Sequence, residues 1–327
     1  MGKLLDRRRS ETDRRIRDLQ NALTRANNLC TYKACVFATG SFGRGEANAH
    51  SDLDLFIAGS AKMTKLSLAR LEQIQVKAAL IDATQQLKIP PFSGDGEYLT
   101  YYTIDELVKT LGEPEDDVNN TFTARLLLLL ESWPLVEESV YRSVIREVIN
   151  AYWRDYQDHK RDFAPGFLAN DILRLWRTFC VNYEARTSTE PEEKKAKRKL
   201  KNYKLKHSRL LTCYSALMYL LAVYSKERTV SPSDAIEMTS LTPTARLEWL
   251  LGQRSLADAH TKIRKLIQLY EEFLSNTDAK TSVLIERFLN PKTRKRYIGE
   301  QHKFGDLIFQ IIGRIGRENR FHRLLVV

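Results

Sequence analysis

The sequence predicts an α+β chain, with a small α/β domain over residues 1–112 followed by an all-helical domain over 113–327. Three observations carry this. Short apolar or alternating runs bounded by Gly and Pro, the pattern of strands, are confined to the first third of the chain. Beyond Glu113 apolar residues recur at helical spacing and no convincing strand follows. Between the first two expected strands, the segment Gly40 to Asp54 gathers glycines, a serine and two aspartates.

The elements follow in order. Residues 3–28 have Leu4, Leu5, Ile16, Leu19 and Leu23 near helical spacing and read as a charged amphipathic helix. Lys33 to Thr39 (KACVFAT) reads as a short buried strand, Gly40 to Gly45 as a turn, and Ser51 to Ala58 (SDLDLFIA) as a strand with period-2 alternation. Lys62 to Leu87 is expected as a helix stopped by Pro90 and Pro91. A Gly-rich turn, Ser93 to Gly96, leads into a third expected strand, Glu97 to Thr103, and then a short helix, Ile104 to Leu111. Helical periods are expected at 118–132, 137–161, 167–186, 200–226, 243–252, 256–275, 280–289 and 303–313.

A chain of 327 residues that is 43% hydrophobic can bury one large core or two modest ones. Lys and Arg number 52 against 41 Asp and Glu, a net charge of +11. Such a balance favours phosphate-rich partners, although many soluble proteins are basic for no specific reason. The longest apolar run, Leu126 to Leu130, is far below membrane-spanning length, so no membrane partner is expected. The N-terminus has no apolar signal core. Cys30, Cys35, Cys180 and Cys213 form no CxxC pair and no zinc-ligand spacing, which points to a reducing cytoplasm.

The chemistry concentrates in Gly40-Ser41-Phe42-Gly43-Arg44-Gly45-Glu46, then His50-Ser51-Asp52-Leu53-Asp54. In a strand Asp52 and Asp54 share a face, about 6–7 Å apart, while Leu53, Leu55 and Ile57 face the core. Two neighbouring carboxylates repel, and a divalent cation such as Mg²⁺ removes that cost. The Gly40-Ser41 turn offers backbone N–H groups and a hydroxyl as a cradle for phosphate. Metal and cradle together are the minimum apparatus of phosphoryl or nucleotidyl transfer. The bland reading puts both aspartates on the solvated face of an edge strand. Arg44 either adds charge beside the phosphates or pairs with Glu46, and His50 reads as a turn residue.

This segment resembles the signature of the DNA polymerase β nucleotidyltransferase superfamily: an apolar strand, Gly-Ser, Arg-Gly-Glu, then Ser-Asp-x-Asp. Among its branches it looks most like bacterial enzymes related to PII uridylyltransferase, with looser similarity in PFSGDGEYL, TARLLLLLES and NDILRLWRTFCVNYE. The resemblance implies a palm-like mixed sheet carrying three carboxylates on Mg²⁺ or Mn²⁺. Asp52 and Asp54 match the first two. Glu97 is the favoured third, with Asp95 next and Asp82 less suited inside a helical run. Gly40 and Ser41 would bind the β- and γ-phosphates of an NTP such as ATP. The implied reaction moves an NMP to an acceptor hydroxyl on a protein, an RNA or a second nucleotide.

Two stretches of the helical domain bear on partners. Asn170, Asp171, Arg174, Arg177, Thr178 and Asn182 share one face of a helix, and Ile172, Leu173, Leu175, Trp176, Phe179, Cys180 and Tyr183 the other. Asn170 and Arg174 are candidates to line the nucleotide cleft. Lys194 to Arg209 holds nine Lys or Arg and no acid, with Tyr203 and His207 interleaved. It reads either as solvated surface or as a phosphate-contacting patch in which Lys201, Lys204 and Lys206 bind the triphosphate or an RNA. Finally, Arg154 and His159 fit the R-x₄-H pattern of HEPN-type ribonucleases, which leaves ribonuclease as one rival reading. A non-catalytic nucleotide- or RNA-binding module of the same fold is the other.

Overall fold

The computed structural model describes residues 2–60, 67–90, 92, 96, 99–184 and 191–326. The chain divides into two compact units, Lys3–Arg154 and Asp155–Val327. The first is built on a four-stranded mixed sheet and the second on helices, as the α+β expectation required.

The first unit opens with α1 (Lys3–Ala22) and α2 (Thr24–Cys30), one predicted helix broken at Leu23. Then come β1 (Ala34–Thr39), the single-turn α3 (Gly40–Gly43), β2 (Asp54–Gly59) and α4 (Arg70–Gln86). β3 (Tyr101–Thr103) and α5 (Ile104–Lys109) follow, then α6 (Glu115–Val118), α7 (Thr121–Leu130), β4 (Trp133–Val136) and α8 (Glu138–Tyr152). The sheet order is β3-β2-β1-β4, with β1 antiparallel to β2 and β4, and β2 parallel to β3.

β4 corrects the expectation that no strand lies beyond Glu113. It is four residues long, contains Pro134 and sits at the sheet edge, where proline costs least. With β4 on β1 and α8 packed against β1 and β2, the compact unit runs to Arg154, past the boundary expected at residue 112.

The two faces of β2 explain its legible alternation. Leu53, Leu55 and Ile57 enter one apolar cluster with Ile16, Leu19, Val76 and Leu80 from α1 and α4. Phe56 points to the other face, where it stacks on Phe37 at 5.6 Å, and Phe37 in turn meets Tyr141 of α8 at 6.0 Å. Both faces are therefore covered, and β2 is buried except at its start.

The second unit contains α9 (Gly166–Glu184), α10 (Glu192–Lys204), a π-helical turn (Leu205–Arg209) and α11 (Leu210–Glu227). After them come α12 (Pro232–Ser240), α13 (Pro243–Leu251), α14 (His260–Asn276), α15 (Thr281–Leu289), α16 (Pro291–Ile315) and α17 (Arg320–Arg323). α11 is the hub, buried along most of its length and packed by α9, α12, α13 and α16. α12 was not anticipated. It starts at a capping box, in which Ser231 accepts from the Asp234 N–H and Asp234 accepts from the Ser231 N–H.

Candidate functional site

The site is built where β1 ends and β2 begins. Thr39 lies opposite Asp54 in the antiparallel ladder, so α3 starts directly beside the Asp54 carboxylate. Gly40 has φ +65, and a Cβ there would stand 2.8 Å from Asp54 Oδ2. Only glycine fits that approach without strain. Gly43 is needed for another reason, since a Cβ there would stand 2.0 Å from the Glu131 carbonyl oxygen.

Asp54 is half-buried at the first position of β2. Asp52 lies just ahead of the strand and is exposed, although the sequence had placed it inside a strand starting at Ser51. The intervening loop is tied down. Ala47 N–H donates to Thr12 Oγ1 (2.9 Å), the Arg15 guanidinium donates to the Asn48 carbonyl, and Arg15 also lies 4.6 Å over the Phe42 ring. Asn48 N–H donates to Ser51 Oγ (2.9 Å) and His50 N–H to Asn48 Oδ1 (2.8 Å), which makes His50 an exposed turn residue.

Beneath α3 is a buried ion network. Arg44 donates from Nε to Glu46 Oε2 (2.9 Å) and from a terminal nitrogen to Glu131 Oε2 (3.0 Å). The other Glu131 oxygen accepts the Gly40 N–H at 3.1 Å. The Glu131 side chain is fully buried and that of Arg44 is 9% exposed. Of the two roles expected for Arg44, the pairing with Glu46 is present, and Glu131 joins it. Ser41, which follows Gly40 along α3, is half-buried. Glu131 was missed because it is 91 residues from Gly40 in sequence and follows a leucine run that reads as core.

Thr39 Oγ1 is also unforeseen. It is buried opposite Asp54 and has no hydrogen-bond partner among the described residues. The donor chemistry fits a divalent cation: two carboxylates, one of them facing a glycine that leaves room in front of its oxygen. Among the described residues no group of three or more His, Cys, Asp or Glu converges. The expected third acid, Glu97, and its alternative, Asp95, lie outside the described residues. Asp82, the least favoured, is on α4.

Within the second unit, Asn170 is exposed on α9 and Arg174 is half-buried, while Ile172, Leu173 and Leu175 on the other side are buried as expected. Lys201 and Lys204 are exposed and Lys206 is half-buried. Tyr203 and His207 are not surface residues interleaved with them. Both are buried among Phe273, Phe288, Tyr297 and Phe304, and burial drops the His207 imidazole to about 4. α8 ends at Tyr152, so Arg154 and His159 do not share an α-helix. Both are exposed, and His159 faces Asp162 at 3.9 Å.

Residues 17–122 match the nucleotidyltransferase domain family. The match spans β1, α3, β2 and β3, and so includes Gly40, Ser41, Asp52, Asp54 and Glu97. Glu131, which accepts the Gly40 N–H, lies beyond the matched residues. No curated protein matches the chain. Among the described residues no helix is long and apolar enough to cross a membrane.

Proposed function

We propose that the chain is a metal-dependent nucleotidyltransferase that moves an NMP from an NTP to an acceptor hydroxyl and releases pyrophosphate. The observation that carries this reading is the approach of the Gly40 turn to the Asp54 carboxylate, inside a segment matched by the nucleotidyltransferase domain family. A carboxylate facing a glycine at the start of a helical turn joins a metal ligand to a phosphate cradle.

In this reading Asp52, Asp54 and Glu97 hold Mg²⁺ or Mn²⁺, which when bound would neutralise charge developing on the triphosphate. Ser41 orients the β- and γ-phosphates. Arg44, Glu46 and Glu131 hold the turn that presents Ser41. Glu97 takes the proton of the acceptor hydroxyl. The acceptor oxygen then bonds to the α-phosphorus, and the bond from that phosphorus to the bridging oxygen breaks, its electron pair leaving with pyrophosphate. β3, which leads out of the segment bearing Glu97, runs parallel beside β2 and supports that assignment. The likeness to PII uridylyltransferase relatives makes UMP- or AMP-transfer one form of the reaction.

The test is pyrophosphate release from each NTP with Mg²⁺ or Mn²⁺, by the native chain and by Asp52→Asn and Asp54→Asn. Each variant keeps its shape and loses one charge. Loss of several kcal/mol of transition-state stabilisation, roughly a thousandfold or more in rate, is expected with the circular dichroism spectrum unchanged. Full activity in Asp54→Asn, with the same metal affinity, contradicts the reading.

A further inference from the structure

The charge of the molecule is divided unevenly. Residues 1–154 hold 20 Lys or Arg and 21 Asp or Glu, whereas residues 155–327 hold 32 and 20, so the second unit carries all of the net positive charge. Within it two segments are basic without a single acid. Residues 194–209 contain nine Lys or Arg and residues 287–299 contain five.

The fold brings these segments together. α10 packs against α15 and α16. Tyr203 of α10 stacks on Tyr297 of α16 at 4.9 Å, and its hydroxyl donates to Glu300 Oε2 at 2.9 Å. The apolar side of α10, Ala196, Leu200 and Tyr203, is buried, and the lysines opposite it are turned outward. Lys197, Lys201 and Lys204 are exposed on α10, and Lys292, Lys295 and Arg296 on α16. An open groove of about 940 Å³ beside α16 extends this face with Lys265 and Lys303, and is also lined by Glu272, Glu300 and Asp306.

We infer that the face formed by α10 and the N-terminal half of α16 binds RNA. Cations crowded on two packed helices repel one another, and a polyanion relieves that repulsion while releasing its own counterions. A membrane surface fits less well, because the apolar side of α10 is spent inside the protein and cannot enter a lipid interface. Lysines spread along helices supply point charges without fixed forks, which suits phosphates and not base edges, so the binding is sequence-independent. The choice of RNA over DNA rests on the transfer proposed above, for which an RNA terminus offers vicinal 2′- and 3′-hydroxyls as acceptor.

The experiment is fluorescence anisotropy of the full chain with a labelled mixed-sequence single-stranded RNA across a salt series. Lys201→Gln/Lys204→Gln/Lys295→Gln/Arg296→Gln is compared with Lys160→Gln/Arg161→Gln/Lys226→Gln/Arg228→Gln, which removes the same charge from exposed positions elsewhere in the unit. The first variant should lose affinity by about tenfold or more, and its log-affinity slope against log salt should flatten by about 0.7 per lost contact. The second should keep slope and affinity within about threefold. Equal losses in both, no RNA binding by the native chain, or tighter binding to anionic vesicles or to DNA of equal length would overturn the inference. Asp54→Asn should bind RNA like the native chain. A chain that binds RNA through this face and transfers nothing leaves the inference standing and removes the transferase reading. Transfer without RNA binding does the reverse.

Discussion

Each unit has a prominent group of cations, and the two groups are placed in opposite ways. In the first, two arginines are buried and matched: Arg44 lies between Glu46 and Glu131, and Arg125 is held by Asp116, the Leu107 carbonyl and the Tyr152 hydroxyl, all inside the protein. In the second, cations stand along the outer sides of α10 and α16, and the aromatic residues between them do the packing. Buried pairs fix geometry, because a misplaced partner leaves a charge in a poor dielectric. Exposed cations fix nothing, but they respond to any polyanion within reach. The first arrangement suits a site that must hold two carboxylates and a turn in register. The second suits a surface that reads phosphate without shape.

Substitutions in each unit test this contrast. The largest effect is expected on the reaction itself: Glu97→Gln should lower transfer by about 10²–10⁴, the scale of a lost general base, with thermal stability unchanged. If Asp95→Asn has that effect and Glu97→Gln does not, the third carboxylate is Asp95. Next is Glu131→Ala, which takes one carboxylate from the buried Arg44 guanidinium and removes the acceptor of the Gly40 N–H. It should cost about 3–5 kcal/mol in chemical unfolding. Glu131→Gln, which keeps an acceptor for Gly40, should cost less. If both match the native chain, the network does not organise the turn.

His207 bears on the contrast from the other side, as a buried titratable group in the unit that carries the exposed basic face. Its Nδ1 is 2.8 Å from the Tyr203 carbonyl and its ring lies flat on Phe273, with burial holding its folded value at about 4. Above about pH 6.5, the ordinary imidazole value, both folded and unfolded chains leave it neutral. Between there and pH 4 only the unfolded chain takes up the proton, so stability falls as pH drops, by about 2–3 kcal/mol at most. His207→Phe should flatten that part of the pH–stability curve, as followed by urea unfolding.

A smaller cost is expected for Gly40→Ala, about 1–2 kcal/mol for a left-handed residue bearing a Cβ. Its loss of transfer should exceed its loss of stability, because the methyl group displaces the Asp54 carboxylate. Smallest of all, the four-site change on α10 and α16 should leave unfolding within about 0.5 kcal/mol of the native chain, as solvated cations contribute little to the fold.

How much of this was legible follows the same divide. Local features read directly from sequence: the alternation Leu53, Leu55, Ile57 against Asp52 and Asp54, the glycines at Gly40 and Gly43, and the acid-free basic run. Features made by distant residues did not. Glu131 reaches Gly40 across 91 residues, and β4 pairs only because β1 leaves an edge that a short proline-bearing segment can occupy. Tyr203 and His207 looked like members of the basic patch, since helical spacing gives their face but not the aromatic residues of α14, α15 and α16 that wait there.

Transfer of a nucleotide from an NTP by the site around Asp54 can be followed by position-specific labelling. The chain is incubated with an NTP labelled at either the α- or the γ-phosphate, with Mg²⁺ and with RNA or protein acceptor. The α-label should become fixed to the acceptor, the γ-label should leave as pyrophosphate, and both signals should vanish in Asp54→Asn. Transfer of the γ-label to the acceptor, or α-label transfer that persists in Asp54→Asn, would contradict nucleotide transfer by this site.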